Sequence, residues 1–130
     1  MSLTANRVLI VDDEPSLLKM MSLYLGRMGY SVVTAESTEK AWSEMEAGSG
    51  GFDVVVLDAT MNGTPMEELA GRMLAADSNL RVIAASGYPV DITGLQAAAP
   101  GRVMFLHKPF SPPMLGNAVR RMIGAQETDL

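Results

Sequence analysis

Cysteine is absent from all 130 residues, which excludes disulfides, thiolate metal centres and cysteine nucleophiles. Histidine occurs once, as His107, so multi-histidine metal sites are impossible and a catalytic triad would have to be built on that one ring. No apolar run approaches the roughly 20 residues a membrane span requires, and no direct membrane contact is expected. Positive charge is scarce: ten Lys and Arg against fifteen Asp and Glu leave a net charge of −5. The basic residues are scattered rather than clustered as a nucleic-acid surface needs, so no nucleic-acid partner is expected. Met1-Ser2-Leu3-Thr4-Ala5-Asn6 lacks the basic and apolar regions of an export signal, which fits a cytoplasmic location.

What remains is a length suited to one hydrophobic core. The apolar pattern alternates short β-rich runs with longer helical stretches, as in a parallel α/β sheet with crossover helices. A single domain is expected over residues 7–124, between tails at 1–6 and 125–130. The expected strands are Arg7 to Val11, Ser31 to Thr34, Asp53 to Leu57, Val82 to Ala85 and Val103 to Leu106. The central ones are apolar almost throughout, as strands buried on both faces should be. Helical spacing is clear in Ser16 to Met28 and along Met114, Leu115, Ala118, Val119, Met122 and Ile123. Three helix starts are marked: Pro15 in a first turn, Thr64-Pro65-Met66-Glu67 as a capping box with proline at N1, and Ser111-Pro112 as a cap followed by proline. The fourth helix is weak because Pro89, Gly94 and Pro100 interrupt it, so a short or irregular helix is expected around Leu95 to Ala99. Gly48-Ser49-Gly50-Gly51 reads as a loop before the third strand.

In an open parallel sheet, ligands bind outside the carboxyl ends of the strands. There the polar residues converge. The first strand runs into Asp12-Asp13-Glu14, the third into Asp58, the fourth into Ser86-Gly87 and the fifth into His107-Lys108-Pro109. The second ends in Ala35-Glu36, chemically bland, which suggests an edge position. Three carboxylates gathered at one sheet end repel one another unless a cation intervenes. A divalent ion such as magnesium suits them, with Asp13 and Asp58 as direct ligands and Asp12 acting through water. A carboxylate can itself accept a phosphoryl group, and the catalytic need is then positioning and neutralisation of the phosphoryl oxygens. Lys108 supplies a compact positive charge for one oxygen and Ser86 a hydroxyl donor for another.

Val8-Leu9-Ile10-Val11-Asp12-Asp13-Glu14, Val54-Val55-Val56-Leu57-Asp58, Ala85-Ser86-Gly87 and His107-Lys108-Pro109-Phe110 resemble, in order and spacing, the motifs of response-regulator receiver domains of the CheY-like superfamily. The resemblance implies a flavodoxin-like (βα)5 fold, a doubly wound parallel five-stranded sheet in order 2-1-3-4-5. It also implies a role in bacterial two-component phosphorelay. Asp58 would take a phosphoryl group from the phosphohistidine of a sensor histidine kinase or phosphotransfer protein, with Mg2+ held by Asp12, Asp13, Asp58 and the backbone carbonyl of Thr60. Ser86 and the aromatic Phe105 would form the switch that changes a partner-binding surface. Such a domain is no turnover enzyme; it catalyses its own phosphorylation and dephosphorylation only. Ser86-Gly87-Tyr88-Pro89 and Lys108-Pro109-Phe110-Ser111-Pro112 resemble receivers of hybrid sensor kinases, which implies covalently linked kinase domains in a longer chain as one arrangement. Two departures stand out. Asn62 and Met66 occupy positions where receivers often carry proline and glycine, and the bulk of Met66 is expected to reshape the kinase-docking surface. Phe105 lacks the hydroxyl a tyrosine would bring.

Plainer readings stand beside these. Asp12 and Asp13 alone would read as solvated carboxylates before a helix, Ser86 as a turn residue, Lys108 as a structural counterion and Phe105 as core. His107 reads as incidental, Trp42 and Tyr24 as covers on helix surfaces, and the eleven methionines as filling for core and interfaces. The main functional alternative is a receiver-like interaction module that signals without phosphorylation. A haloacid-dehalogenase-type phosphatase needs a second aspartate two residues after the nucleophile, where Thr60 stands. A flavin-binding reading lacks a phosphate-cradling loop after the first strand.

Overall fold

A computed structural model describes residues 6–47 and 51–127, with side chains as far as 124. Residues 1–5 and 128–130 of the expected tails, and 48–50 of the expected glycine-rich loop, lie outside the described residues. The elements run β1 (Arg7–Val11), α1 (Pro15–Arg27), β2 (Ser31–Ala35), α2 (Thr38–Ala47), β3 (Val54–Asp58), α3 (Met66–Ala76), β4 (Arg81–Ser86), α4 (Thr93–Ala98), β5 (Val103–His107) and α5 (Pro112–Glu127). The last helix thus passes residue 124, where the domain was expected to end.

The strands pair in parallel in the order β2-β1-β3-β4-β5, the flavodoxin-like doubly wound arrangement. Each strand follows from its apolar run. In β1 and β3, Leu9, Val11, Val55 and Leu57 enter one core cluster, while Val8, Ile10, Val54 and Val56 enter the other, because successive side chains of a strand point to opposite faces. The first cluster lies beneath α2, α3 and α4 and contains Leu69, Met73 and Leu95. The second lies beneath α1 and α5 and contains Leu18, Met21, Leu25, Leu115 and Val119. Strand β2 is the expected edge, and its Ser31 and Thr34 are exposed.

Two helix starts behave as expected. Pro15 opens α1, and Ser111 Oγ accepts the Met114 amide at 3.3 Å ahead of α5. The third does not. Helix α3 begins at Met66, and its N-cap is Pro65, at φ −55° and ψ 144°, with no side-chain cap hydrogen bond. The extended ψ of Pro65 delays the first helical residue by one, and a proline ring carries no acceptor, so the capping box read at Thr64 does not form. Met66 corrects a second expectation. Its side chain is buried in the first cluster, 8% exposed, instead of standing on a docking surface. Helix α4 is short, as its prolines and glycine foretold. Within its six residues only Leu95 is buried, flanked by Ile92 and Ala99.

Candidate functional site

Parallel pairing brings every strand's carboxyl end to one edge. Asp58 is the last residue of β3 and lies opposite Ala85 of β4. Ser86 ends β4 opposite His107 of β5, one residue before Lys108. Asp12 follows β1 directly, and its amide donates to the Ala35 carbonyl at the end of β2 at 3.1 Å. Asp12, Asp58 and Ser86 are buried, whereas Asp13 is exposed.

The acidic residues and the lysine meet there. Carboxylate oxygens of Asp12, Asp13 and Asp58 lie within 4.8 Å of one another. Lys108 Nζ donates to Asp12 Oδ2 at 2.8 Å and stands 3.4 Å from Asp58 Oδ2. Burial alone lowers the pKa of Lys108, but the hydrogen bond and charge of Asp12, with the charge and hydrogen bond of Asp58, outweigh it and hold the ammonium above its ordinary 10.5. The second oxygen of Asp12 accepts the Glu14 amide at 2.9 Å. Asp58 Oδ1 accepts both the amide and the hydroxyl of Thr60, at 2.9 and 2.8 Å. The cluster is therefore anionic and built of oxygen donors. It has one exposed member, and such a set fits a hard divalent cation.

The remaining expected residues lie around this centre. Ser86 Oγ accepts the Tyr88 amide at 3.0 Å; among the described residues it makes no hydrogen bond to the acidic cluster. Phe105 is half-buried against the first core cluster, with its ring edge-on to His107 at 6.3 Å between centroids. The hydroxyl of Thr60 is a contact that sequence reasoning missed, since only its carbonyl was considered. A threonine two residues after an aspartate is the signal that could have found it, because this spacing favours local side-chain bonds. A hollow of about 550 Å³, lined by Glu14, Leu17, Gly87, Tyr88, Lys108, Pro109 and Phe110, opens beside the lysine.

The comparisons with known proteins agree with this geometry. The family described as the response regulator receiver domain matches residues 8–120. The chain belongs to the response regulator receiver family. Among curated relatives, it is 37% identical to a probable transcriptional regulator, ycf27, of Guillardia theta, over 92% of this chain and 46% of that protein. It is 31% identical to the sensor kinase CckA of Brucella abortus, over 92% of this chain and 13% of that one. The receiver thus spans less than half the length of these relatives. Among solved structures, the response regulator protein TrrA from Thermotoga maritima, in complex with Mg(2+)-BeF, superposes with a TM-score of 0.74 at 28% identity, covering 90% of this chain and 98% of that one. Receiver domains are phosphoacceptor modules of two-component signalling rather than turnover enzymes. Among the described residues, no helix is long and apolar enough to cross a membrane.

Proposed function

We propose that this receiver, over residues 7–124, accepts a phosphoryl group from the phosphohistidine of a sensor histidine kinase or phosphotransfer protein onto Asp58. The observation that carries the reading is the pairing of the three-carboxylate cluster with Lys108 across β1, β3 and β5. Asp12, Asp13, Asp58 and the Thr60 carbonyl would hold Mg2+. When bound, the ion supplies charge neutralisation for the phosphoryl oxygens.

A carboxylate oxygen of Asp58 attacks phosphorus, the phosphorus–nitrogen bond of the donor breaks, and the electron pair leaves on the imidazole nitrogen, which takes up a proton. Lys108 keeps its charge throughout, because its carboxylate neighbours hold the ammonium protonated. It can therefore pair with a phosphoryl oxygen as the carboxylate gives up its own negative charge to the new bond. The hollow lined by Lys108, Gly87 and Phe110 opens beside the lysine, which supports an approach of the donor side chain from that side. Ser86 and Phe105 serve as the switch, through which phosphorylation reshapes the surface around α4, β5 and α5. The 31% identity to a sensor kinase supports a kinase as donor, either separate or in the same longer chain. Because phosphohistidine is made from ATP, the same reading places the domain in the cytoplasm.

The deciding experiment is intact mass after incubation with a small-molecule phosphodonor, with Mg2+, with chelator, and with Asp58→Asn. The expected result is a metal-dependent gain of one phosphoryl group that the variant loses. No gain from either a small donor or a kinase donor would make the interaction module that signals without phosphorylation the better reading.

A further inference from the structure

Resting on that reading, we infer that Thr38 is a positioning residue that holds the loop after the phosphoacceptor in its metal-binding form. Thr38 is the first residue of α2 and is 2% exposed. A threonine there could be spent on capping the helix, but Ser37 does that work, its Oγ accepting the Lys40 amide at 3.0 Å. The Thr38 hydroxyl is thus free to reach out of its own helix. Its oxygen accepts the Thr64 amide at 3.1 Å, and its proton goes to Glu39 Oε1 at 3.2 Å. Both capacities of one buried hydroxyl are used, and the carboxylate polarises the hydroxyl towards the amide.

The segment thus tied is 61–64. At its start, the Ala59 amide is fixed to the Ala85 carbonyl at 2.8 Å, and the Thr60 amide to Asp58. At its far end the Thr64 amide to Thr38 is the tie to another element. Asn62 leaves this loop without the stiffening a proline would bring, so its shape depends more on such a tie. Gly63 shows how tight the closure is. Its φ is +96°, and a Cβ built there would stand 2.5 Å from Thr38 Oγ1 and 2.9 Å from Glu39 Oε1. The closed loop forms one wall of a cleft of about 340 Å³ that also includes Asp13, Glu36 and Glu39. Thr60 is anchored at one end by Asp58 and, through Ala59, by β4, so closure at Thr38 supplies the second anchor that fixes the run from Thr60 to Thr64 beside Asp13. Outer groups that orient a ligand in this way commonly carry tenfold or larger effects on metal affinity.

The test compares wild type, Thr38→Val, Thr38→Ser and Gly63→Ala by three measurements. These are amide exchange at Thr64 in chelator, Mg2+ affinity by calorimetry, and phosphorylation rate from a small donor as a function of Mg2+. Thr38→Val keeps the side-chain shape and loses the hydroxyl. It should speed Thr64 exchange, weaken Mg2+ binding about tenfold, and shift the Mg2+ dependence of phosphorylation while leaving the rate at saturating Mg2+ near wild type. Thr38→Ser should match wild type. Gly63→Ala should reproduce Thr38→Val by pushing the loop away from an intact hydroxyl. Unchanged Mg2+ affinity in Thr38→Val would overturn the positioning role, as would a Thr38→Ser variant as impaired as the valine. A wild-type chain that takes up no Mg2+ would instead overturn the metal reading itself, and the role of Thr38 with it.

Discussion

Among the described residues, Lys108 is the one cation set beside the three-carboxylate cluster, and its position makes two demands on stability. The first concerns its proton. The folded chain holds it more tightly than the unfolded chain, since Asp12 and Asp58 together outweigh the burial that opposes them. A raised basic pKa stabilises fully below the unfolded value and loses that contribution as pH climbs through the folded one. Stability should therefore be insensitive to Lys108 across neutral pH and should fall above 10.5. The second concerns the carboxylates left behind if the lysine is removed, two of which are buried. Lys108→Met should cost about 1–3 kcal/mol at neutral pH in chelator. It should also flatten the part of the alkaline decline that the lysine causes. Urea melts across pH check both, and a variant as stable as wild type at neutral pH would show that the ammonium is not needed to offset its neighbours.

Among the elements, some contacts that tie distant segments together are the ones least visible in sequence. Arg102, in the loop before β5, donates Nε to the Leu80 carbonyl at 2.9 Å and Nη2 to the carbonyls of Leu74 and Asp77. It thereby satisfies backbone oxygens at the end of α3 and the start of β4, where a positive charge also suits the helix dipole. Arg102→Ala should destabilise by about 1–3 kcal/mol. Arg102→Lys should recover only a small part, because an ammonium cannot span carbonyls that the planar fork reaches at once. Thermal melts of the two variants distinguish a fork from a simple charge. Nothing local announces this role, since the partners lie 22 to 28 residues away. The same holds for Thr38 and Thr64, 26 residues apart, and for Met66, whose burial depends on where α3 docks. By contrast, β1 and β3 were legible because strands buried on both faces must be continuously apolar. Asp12 and Asp58 were legible because each directly follows or ends such a run, and Lys108 because it comes directly after β5 at the same end of the sheet. The brevity of α4 was written in Pro89, Gly94 and Pro100, whereas the failed cap at Thr64 turned on the ψ angle of Pro65, which no motif states.

Across the whole molecule, the sheet separates a layer of α1 and α5 from a layer of α2, α3 and α4, and the weakest part of the second layer touches the site. Tyr88 is 72% exposed, and its amide is held by Ser86 Oγ, whose side chain is fully buried at the end of β4. From there residues 87–91 lead to α4, which rests on the first core cluster through Ile92, Leu95 and Ala99, the cluster against which Phe105 also packs. An element with so few buried side chains opens at low free energy. A phosphoryl group on Asp58 would offer the Ser86 hydroxyl a charged acceptor, and rotation of Oγ towards it would carry that oxygen away from the Tyr88 amide. The cost of that release is one hydrogen bond, roughly 1 kcal/mol or about fivefold in an opening equilibrium. Phosphorylation should therefore speed amide exchange over residues 87–99 by about that factor while leaving β1 and β3 unchanged. Ser86→Ala lacks the hydroxyl in both states, so its exchange over 87–99 should be fast already and should not respond to phosphorylation. Hydrogen-exchange mass spectrometry on wild type and Ser86→Ala, each with and without the phosphodonor, reads this directly. If phosphorylated Ser86→Ala still shows the wild-type change, α4 is coupled to Asp58 by another route, and the Ser86 to Tyr88 hydrogen bond is only a turn.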